Sequence, residues 1–564
     1  MDISCGEKVL SEDYADYMID EGKALNELTT IQDICSFNLI DNTYNVYIPI
    51  SKLPNNMLEA YGFGAYPNCY GVMDMNSLDK SGITQIQNIP NFQLQGEGVL
   101  IGLVDTGIDY QHEAFIKEDG TSKILSIWDQ SINSDFFHPE KFPYGTEYSQ
   151  SQINLALKSE NPLSVVPSTD EDGHGTYLAG IAAGNRNEKE KFSGVAPKAE
   201  LVVVKLKQAK RFLQDFWRIP NNVLTFQKND LIMGLRYLED FSAKAQQPMS
   251  IIIGIGTSQG AHDERGALST YISNLASKEG ICLTICGGNE GNTGHHYMGK
   301  VEKNPDLVEL MVGSNVSGFS MEFWGSSPTN YSIDIKSPTG EYIPRIAPRA
   351  TVSREIKLIF GNTTINVDYK LVESQSGEQL ILLRFTNPLE GLWTFNVYSG
   401  GNLSFNYHCW LPIEQFLSSE THFNKPNADY TLTSPGNTFI PIVMTAYNTD
   451  NEALYINASR GYMRTENIAP TLAAPGVNLI GPNIPSGYKK ASGTSVAAAH
   501  TAGVGAMLLE WGNVKNNYPE ISTVEIRNIF IRGARRDPNI MFPNKKWGYG
   551  ILDLYNAFDI FRST

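Results

Sequence analysis

Basic residues are few in this chain of 564 residues. It carries 44 Lys and Arg against 61 Asp and Glu, which gives a formal net charge of −17. Proteins that bind a phosphate backbone need clustered Lys and Arg, so we expect no nucleic-acid partner. The six cysteines are sparse for this length and form no CxxC pair. This argues against a disulfide framework and against a zinc site.

Long apolar runs are also missing. No uninterrupted apolar stretch reaches the length that spans a membrane, so we expect no membrane partner. The first residues, MDISCGEKVLSEDYADYMIDEG, lack the basic start and the apolar core of a secretory signal. We therefore expect synthesis in the cytoplasm. The content of 41% hydrophobic and 19% charged residues is typical of a globular protein, and the length predicts two or more domains.

Continuous apolar runs that begin at residue 98 predict the main fold. GVLIGLVDTGID, AELVVVKL, PMSIIIGIG and GICLTICGG do not alternate, which is typical of strands buried on both faces. Segments with a helical pattern, such as NDLIMGLRYLEDFSAKA, lie between them. Strands that alternate with helices predict an α/β domain with a parallel sheet flanked by helices.

Two other regions differ in character. Residues 1–75 are polar and mixed, with YADYMIDEGKALNEL predicted as a helix and NVYIPISKL as a strand. From 311 to 428 several segments alternate at period two, including GLWTFNVYSG, in which Trp393, Phe395 and Val397 share one face. This alternation predicts an antiparallel β-sandwich or jelly roll. Because the α/β pattern resumes after it, the block is interpreted as an insertion in the α/β domain.

Four polar fragments carry residue types that suit hydrolytic chemistry. Asp105 follows a buried strand in VDTGID, where a carboxylate can be desolvated and oriented. His174 lies between two glycines in DGHGTYLAG, and His is the usual general base near neutral pH. Ser495, in SGTSVAAAH, lies at the first turn of a predicted helix, where its own N–H can donate to an oxyanion. The fragment GGNEGN adds Asn289, whose amide can donate to developing negative charge.

Each fragment alone also has a plain structural interpretation. Asp-Thr-Gly is common in turns, a Gly-flanked His is often a surface residue, and Ser495 can simply cap its helix. Asp170, Glu171 and Asp172, which precede His174, are interpreted as a solvated loop. An aspartic protease needs two carboxylates that share a proton, and no second Asp-Thr-Gly or Asp-Ser-Gly occurs.

A competing serine, Ser258, lies in GTSQG, which matches the G-x-S-x-G pattern of α/β-hydrolase nucleophiles. That fold needs an Asp and then a His after its serine. His408, His422 and His500 follow Ser258, but none lies in a Gly-flanked loop. The sequence therefore favours Ser495.

Together, VDTGID, DGHGTYLAG, GVAPKAELVVVKL, GGNEGN, APGVNLIGP and SGTSVAAAHTAG resemble the motifs of the subtilisin-like serine proteases, in that family's order. The resemblance covers about residues 76–564, apart from the inserted block. It implies that Ser495 is the nucleophile, that His174 is the general base and that Asp105 orients the imidazole. Asn289 and the N–H of Ser495 would form the oxyanion hole.

The same resemblance implies a substrate cleft built from two sets of residues. These are a strand that pairs with the substrate backbone, formed by Gly254, Ile255 and Gly256, and one wall of the specificity pocket, formed by Cys286, Gly287 and Gly288. The family usually has Pro where Ala499 stands, and HGTHVAG where this chain has HGTYLAG. Neither change removes a catalytic group. No calcium-binding loop is recognised, so we expect neither a metal nor another cofactor.

The architecture resembles the Csp germination proteases of clostridial spores, which carry a prodomain, a subtilase domain and an inserted jelly roll. The predicted organisation is a prodomain at 1–75, a subtilase domain at 76–310 and 429–564, and a jelly-roll domain at 311–428. Active members of that family cleave the precursor of a spore-cortex lytic enzyme, whereas others have lost triad residues. All three triad residues are present here. This favours an active endopeptidase with a protein substrate, packaged in the spore.

By the same resemblance, residues 1–75 form a chaperone-like prodomain that the enzyme itself cuts off and that can stay bound as a partner. The cut is predicted near Met75–Asn76, within residues 66–82, with Gln95–Gly96 as an alternative. A plain N-terminal cap is the other interpretation. Two hypotheses remain open: a self-processing serine endopeptidase, and a binding or signalling module that keeps the triad but is held inactive. The role of the inserted block is likewise open between stabilisation and recognition.

Overall fold

A computed structural model of the chain describes residues 4–53, 57–72, 81, 87, 93–134, 137–302, 304–346, 351–401 and 404–559. Within these ranges, no helix combines the length and the apolar character needed to cross a membrane.

An eight-stranded sheet forms the centre of the protein. From one edge to the other its strands are Leu472–Pro475, Ile442–Tyr447, Ile281–Cys286, Met249–Ile253, Leu100–Asp105, Glu200–Lys205, Ile124–Asp129 and Thr146–Ser149. Neighbouring strands run parallel, except for the last pair. The four continuous apolar runs of the sequence form four adjacent strands, and nearly all of their residues are buried. The predicted α/β fold with a mostly parallel sheet is confirmed.

Helices accompany this sheet. Their bounds are Gln150–Leu157, His174–Ala183, Arg211–Trp217, Lys228–Ala245, Ala267–Ala276, Thr494–Leu509, Thr523–Gly533 and Leu554–Asp559. The Thr494–Leu509 helix is apolar on all sides, and each of its residues is buried, as expected of a core helix. A Cβ on Gly505 would lie 2.4 Å from Cys282 Sγ in the sheet. Small residues therefore allow this helix to approach the central strands closely.

The N-terminal region has its own three-stranded antiparallel sheet, in the order Tyr14–Asp20, Thr43–Pro49 and Cys35–Ile40. Its helices are Cys5–Leu10, Lys23–Leu28 and Met57–Tyr61. The sequence prediction of one helix over YADYMIDEGKALNEL was wrong in its first half, which forms the Tyr14–Asp20 strand. Pairing with the Thr43–Pro49 strand outweighs the local helical pattern there.

One disulfide, Cys5–Cys35, joins the first helix to a strand of the N-terminal sheet. The sparse cysteines and the lack of a CxxC pair argue against a disulfide framework. This single pair carries no local signal in the sequence, because its two cysteines are 30 residues apart. Cys69, Cys282, Cys286 and Cys409 are buried free thiols.

Two antiparallel sheets form the inserted β region. One has six strands in the order His296–Val301, Phe405–Trp410, Gly318–Gly325, Gln379–Thr386, Thr364–Lys370 and Thr351–Lys357. The other has five, in the order Tyr342–Ile346, Tyr331–Lys336, Gly391–Ser399, Asp306–Val312 and His422–Phe423.

Both sheets contribute to a single buried cluster. In it Phe323 of the six-stranded sheet lies 5.8 Å from Phe395 of the five-stranded sheet, measured between ring centroids. Trp393, Phe395 and Val397 are fully buried, so the face predicted from their spacing is the core face. The predicted boundary at residue 311 falls inside the Asp306–Val312 strand.

A buried ion pair attaches the N-terminal sheet to the central domain. Lys210 Nζ lies 2.6 Å from Asp16 Oδ1, and both side chains are 2% exposed. The same ammonium donates to the carbonyl oxygens of Lys8 and Tyr14, and Gln227 Nε2 donates to Asp16 Oδ2. Burial lowers the pKa of Lys210, and Asp16 opposes that shift. Removing either partner would therefore leave the other as a buried charge without compensation.

We expect Lys210→Met to lower the free energy of unfolding by about 3–5 kcal/mol, because it leaves Asp16 buried without its cation. Urea denaturation measures the change. Lys244→Met is the matched control, since Lys244 and Glu140 form an exposed pair that water screens. Equal denaturation midpoints for the two variants would contradict the interpretation, whereas Asp16→Asn combined with Lys210→Met should recover part of the loss.

Candidate active site

Three side chains from distant parts of the chain meet at the carboxyl edge of the central sheet. Asp105 ends the Leu100–Asp105 strand, His174 begins a helix and Ser495 is the second residue of another. His174 Nδ1 lies 2.6 Å from Asp105 Oδ1, and His174 Nε2 lies 3.3 Å from Ser495 Oγ. All three are buried. The arrangement has the geometry of a Ser-His-Asp triad.

Local hydrogen bonds hold the acid and the imidazole in place. Asp105 Oδ1 accepts from the N–H of Thr106 at 2.8 Å, and Thr106 Oγ1 accepts from the N–H of Gly175 at 2.8 Å. The strand end and the helix that carries His174 are therefore joined next to the site.

Asp170 caps the helix that carries His174. Its carboxylate accepts from the N–H of Gly173 and from both the N–H and the hydroxyl of Thr176. The sequence interpretation of Asp170 as part of a solvated loop was wrong, because it is 5% exposed and satisfies donors that a helix N-terminus leaves unpaired. Asp172 accepts from the N–H of His174 at 3.2 Å, and burial raises the pKa of its carboxyl although His174 opposes the shift.

Asn289 lies beside the helix turn that carries Ser495. Its Oδ1 accepts from the N–H of Thr494 at 3.2 Å and from the hydroxyl of Thr494 at 3.1 Å. Thr494 Oγ1 in turn accepts from the N–H of Gly288. Because the amide oxygen faces Thr494, the amide NH₂ is the end turned away from it. Ser495, at the second helical position, has an N–H that its own helix does not use.

A strand of the N-terminal region lies in the cleft next to these residues. Cys69–Val72 pairs with Ile255–Gly256 on one side, in the register Ile255↔Val72 and Gly256↔Gly71. On its other side it pairs with Phe226–Gln227. Gln259 Oε1 also accepts from the N–H of Cys69 at 2.9 Å. The predicted binding strand thus pairs with a segment of its own chain. Met75 and Asn76 lie outside the described residues.

The predicted binding strand and the predicted pocket wall both contact one threonine, Thr433. A Cβ on Gly256 would lie 2.4 Å from Thr433 Oγ1, and a Cβ on Gly288 would lie 2.6 Å from the same atom. Gly287 accepts from the N–H of Thr433, and Cys286 Sγ lies 3.7 Å from the carbonyl oxygen of Ile255. Sequence reasoning missed Thr433, since YTLTSPGN contains no recognisable functional pattern.

The competing residues occupy other positions. The carbonyl oxygen of Ser258 lies 2.9 Å from His262 Nε2. His500 Nε2 lies 2.8 Å from Ser81 Oγ, and burial lowers the pKa of His500 to about 3. His408 stacks on Trp410 in the inserted region. Among the residues that the structure describes, no three or more His, Cys, Asp or Glu are grouped to hold a metal.

Comparison with known proteins agrees with the fold. The model of the subtilase family matches residues 96–309 and 367–550, which together are more than half of the chain. The solved structure of the CspB protease of Clostridium perfringens superposes with a TM-score of 0.76 at 30% identity, covering 86% of this chain and 98% of that chain. This chain therefore belongs to the subtilase family.

Curated relatives extend beyond the matched region. The PII-type proteinase of Lacticaseibacillus paracasei is 21% identical over 543 residues, which cover 83% of this chain and 26% of the proteinase. The minor extracellular protease Vpr of Bacillus subtilis is 21% identical over 480 residues, which cover 82% of this chain and 51% of Vpr. The chain thus spans about a quarter and about half of the lengths of these relatives.

Gly254 gives a test of the triad geometry, because a Cβ there would lie 3.1 Å from both Asp105 Oδ2 and His174 Cε1 and 2.4 Å from Leu178 Cδ1. We expect Gly254→Ala to displace the imidazole and to slow labelling of Ser495 by an organofluorophosphonate about 10-fold or more. The labelling rate is measured by intact mass. Gly401→Ala is the control, since a Cβ there meets nothing within 4 Å. Unchanged labelling of Gly254→Ala would contradict the close packing around His174.

Proposed function

We propose that this subtilase is a serine endopeptidase that uses Ser495, His174 and Asp105. The contacts of His174 with Asp105 at 2.6 Å and with Ser495 at 3.3 Å carry the proposal. A neutral imidazole between a carboxylate and a serine hydroxyl can take the hydroxyl proton while the carboxylate stabilises the resulting imidazolium. Asp105 is fully buried, which strengthens that interaction in the absence of water.

The reaction proceeds in two steps. Ser495 Oγ attacks the carbonyl carbon of the scissile bond and passes its proton to His174 Nε2. The N–H of Ser495 and the amide NH₂ of Asn289 donate to the oxyanion of the tetrahedral intermediate. His174 then gives the proton to the leaving amine, which leaves an acyl-enzyme on Ser495. Water attacks the acyl group by the same route and frees the serine.

Self-processing is supported by the Cys69–Val72 strand. A peptide substrate that adds a strand to Ile255–Gly256 takes main-chain hydrogen bonds from it, and Cys69–Val72 has that pairing already. Val72 pairs with Ile255, next to Gly254 and the triad, and lies three residues before the predicted Met75–Asn76 bond. We infer that residues 1–75 are a prodomain and that the chain is cut in cis just after this strand.

The inserted β region is proposed to be a jelly-roll domain that braces the cleft. Glu322 accepts from the N–H of Gly260 at 3.0 Å, so the insertion contacts the loop after the binding strand. Phe63 of the N-terminal region lies against Trp324 of the insertion and Trp217 of the central domain, with ring centroids 5.7 and 5.6 Å apart. These contacts favour stabilisation over recognition of a distant partner.

The likeness to the CspB protease of C. perfringens supports a finer proposal. We infer a germination protease, synthesised in the cytoplasm and packaged in the spore, whose substrate is the precursor of a cortex-lytic enzyme.

A second candidate function follows from the same strand. Because Cys69–Val72 lies between Phe226–Gln227 and Ile255–Gly256, a retained N-terminal region would occupy the cleft and exclude substrates. The protein would then be a binding or signalling module with an intact but blocked triad.

Intact mass of freshly purified wild type beside Ser495→Ala tests the proposal. We expect wild type to give two fragments with a break near residue 75, and Ser495→Ala to stay whole at 62.5 kDa, because the cut needs the nucleophile. Ser258→Ala is the matched control and should process like wild type. Wild type that stays whole would instead favour the blocked module.

Incubation with the precursor of a spore-cortex lytic enzyme tests the substrate. We expect processed wild type to shorten the precursor at one site and Ser495→Ala to leave it intact, with gel mobility and mass as the measurements. A quenched fluorescent peptide with the sequence of residues 67–80 is run in parallel. If the peptide is cut and the precursor is not, the germination role fails while the protease assignment stands.

A further inference from the structure

We propose that Glu290 is a positioning residue that holds Asn289 in place and couples it to the inserted β region. The inference rests on the proposed role of Asn289 as an oxyanion donor. It concerns a buried carboxylate beside that donor which the proposed reaction does not use.

Glu290 is 5% exposed, and two groups lie within hydrogen-bond distance of its carboxylate as donors. Oε1 accepts from the N–H of Glu414 at 3.1 Å, and the hydroxyl of Thr293 lies within hydrogen-bond distance of both Oε2, at 3.1 Å, and the carbonyl oxygen of Glu290, at 3.2 Å. His295 Nδ1 lies 3.3 Å from Oε2, and His295 is 2% exposed. A buried carboxylate is costly unless such partners are present. The contacts therefore fix the conformation of the loop that begins at Asn289.

Ser459 fixes the backbone on both sides of Asn289. Its N–H donates to the carbonyl oxygen of Gly288 at 2.9 Å, and its Oγ accepts from the N–H of Glu290 at 2.9 Å. Gly291 donates to the carbonyl oxygen of Asn457. Ser459 and Asn457 thus hold the backbone of residues 288–291. The Glu290 side chain holds the next part of the loop, through Thr293, and the end of the insertion, through Glu414.

The insertion enters and leaves the central domain at this point. His296 begins the first strand of the six-stranded sheet and pairs with Trp410, which ends the neighbouring strand. The N–H of Leu411 then donates to the carbonyl oxygen of His295 at 2.9 Å, and the N–H of Glu414 reaches Glu290. Glu290, the residue after Asn289, therefore contacts both connections of the inserted region: His295 where the chain enters it and Glu414 where the chain leaves it.

Glutamine at position 290 preserves size but replaces one acceptor oxygen with an NH₂ donor. If its amide oxygen keeps the N–H of Glu414, its NH₂ lies toward Thr293 and His295, so the hydroxyl of Thr293 has to accept instead of donate and the negative charge beside His295 is lost. Oxyanion hydrogen bonds are useful only within a narrow range of distance from the developing charge. A small shift of Asn289 should therefore lower kcat and leave substrate binding unchanged.

The experiment is a double-mutant cycle with Asn289→Ala, measured as kcat and KM on the quenched fluorescent peptide of residues 67–80. We expect Glu290→Gln to lower kcat about 10-fold with little change in KM, as misplacement of a reacting group does. Asn289→Ala should lower kcat about 100- to 1,000-fold, the loss known when subtilisin lacks its oxyanion asparagine. Glu290→Gln should add no further loss in the Asn289→Ala background, because it acts through Asn289.

Two variants keep the test independent of folding defects. Thr293→Val removes one donor to Glu290 without changing size, and we expect a smaller loss of kcat that also disappears in the Asn289→Ala background. Glu510→Gln is the matched control, since the buried Glu510 carboxylate accepts from the N–H groups of Gln95, Gly96 and Glu97. Its kcat should equal that of wild type.

Losses that multiply in the double variant, or wild-type kcat in Glu290→Gln, would overturn the inference while leaving the protease assignment intact. An Asn289→Ala variant with full kcat would overturn the oxyanion role itself, and this inference with it.

Discussion

The buried contact between Asp105 and His174 determines how closely the surrounding backbone elements must approach one another. The imidazole must lie 2.6 Å from a strand end and 3.3 Å from a helix turn at the same time. This requires backbone elements to approach more closely than ordinary side chains permit. A Cβ on Gly175 would lie 2.2 Å from the carbonyl oxygen of Gly107, and one on Gly254 would crowd the imidazole itself. Glycines at these positions are thus part of the site, although they contribute no functional group.

The proposed substrate strand, Ile255–Gly256, already pairs with an N-terminal segment of the same chain. Cys69–Val72 pairs with a short strand on each side, and main-chain hydrogen bonds are nearly independent of sequence. Any extended peptide can form them, so specificity has to come from the side-chain pockets. Because Thr433 packs against both Gly256 and Gly288, its side chain limits the space between the predicted binding strand and the predicted pocket wall.

The fold and the triad geometry could be predicted from the sequence because their signals are local. Buried parallel strands appear as continuous apolar runs, and Asp105, His174 and Ser495 each lie in a short motif at the end of an element. Asp170, Thr433 and Glu290 could not be found in this way. Thr433 and Glu290 depend on partners far away in the chain, such as Glu414, which is 124 residues from Glu290, and no local pattern records such a contact. Asp170 has local partners, Gly173 and Thr176, but its acidic neighbours favoured the interpretation of a solvated loop. Ser258 shows the reverse case, a local pattern without the geometry.

The position of the insertion follows from the topology of the central sheet. The insertion lies in the connection between Ile281–Cys286 and Ile442–Tyr447, which are parallel neighbours. Its first and last strands pair at His296 and Trp410, so its two ends lie close together and closing the long connection costs little additional entropy. The first residues after the Ile281–Cys286 strand include Asn289, and the chain enters the inserted sheet at His296. An insertion at this point therefore shares its first loop with Asn289, the proposed oxyanion donor. The packing of the insertion reaches this loop through Glu290, which accepts from the N–H of Glu414, so the proposed chemistry and the insertion share one set of buried hydrogen bonds.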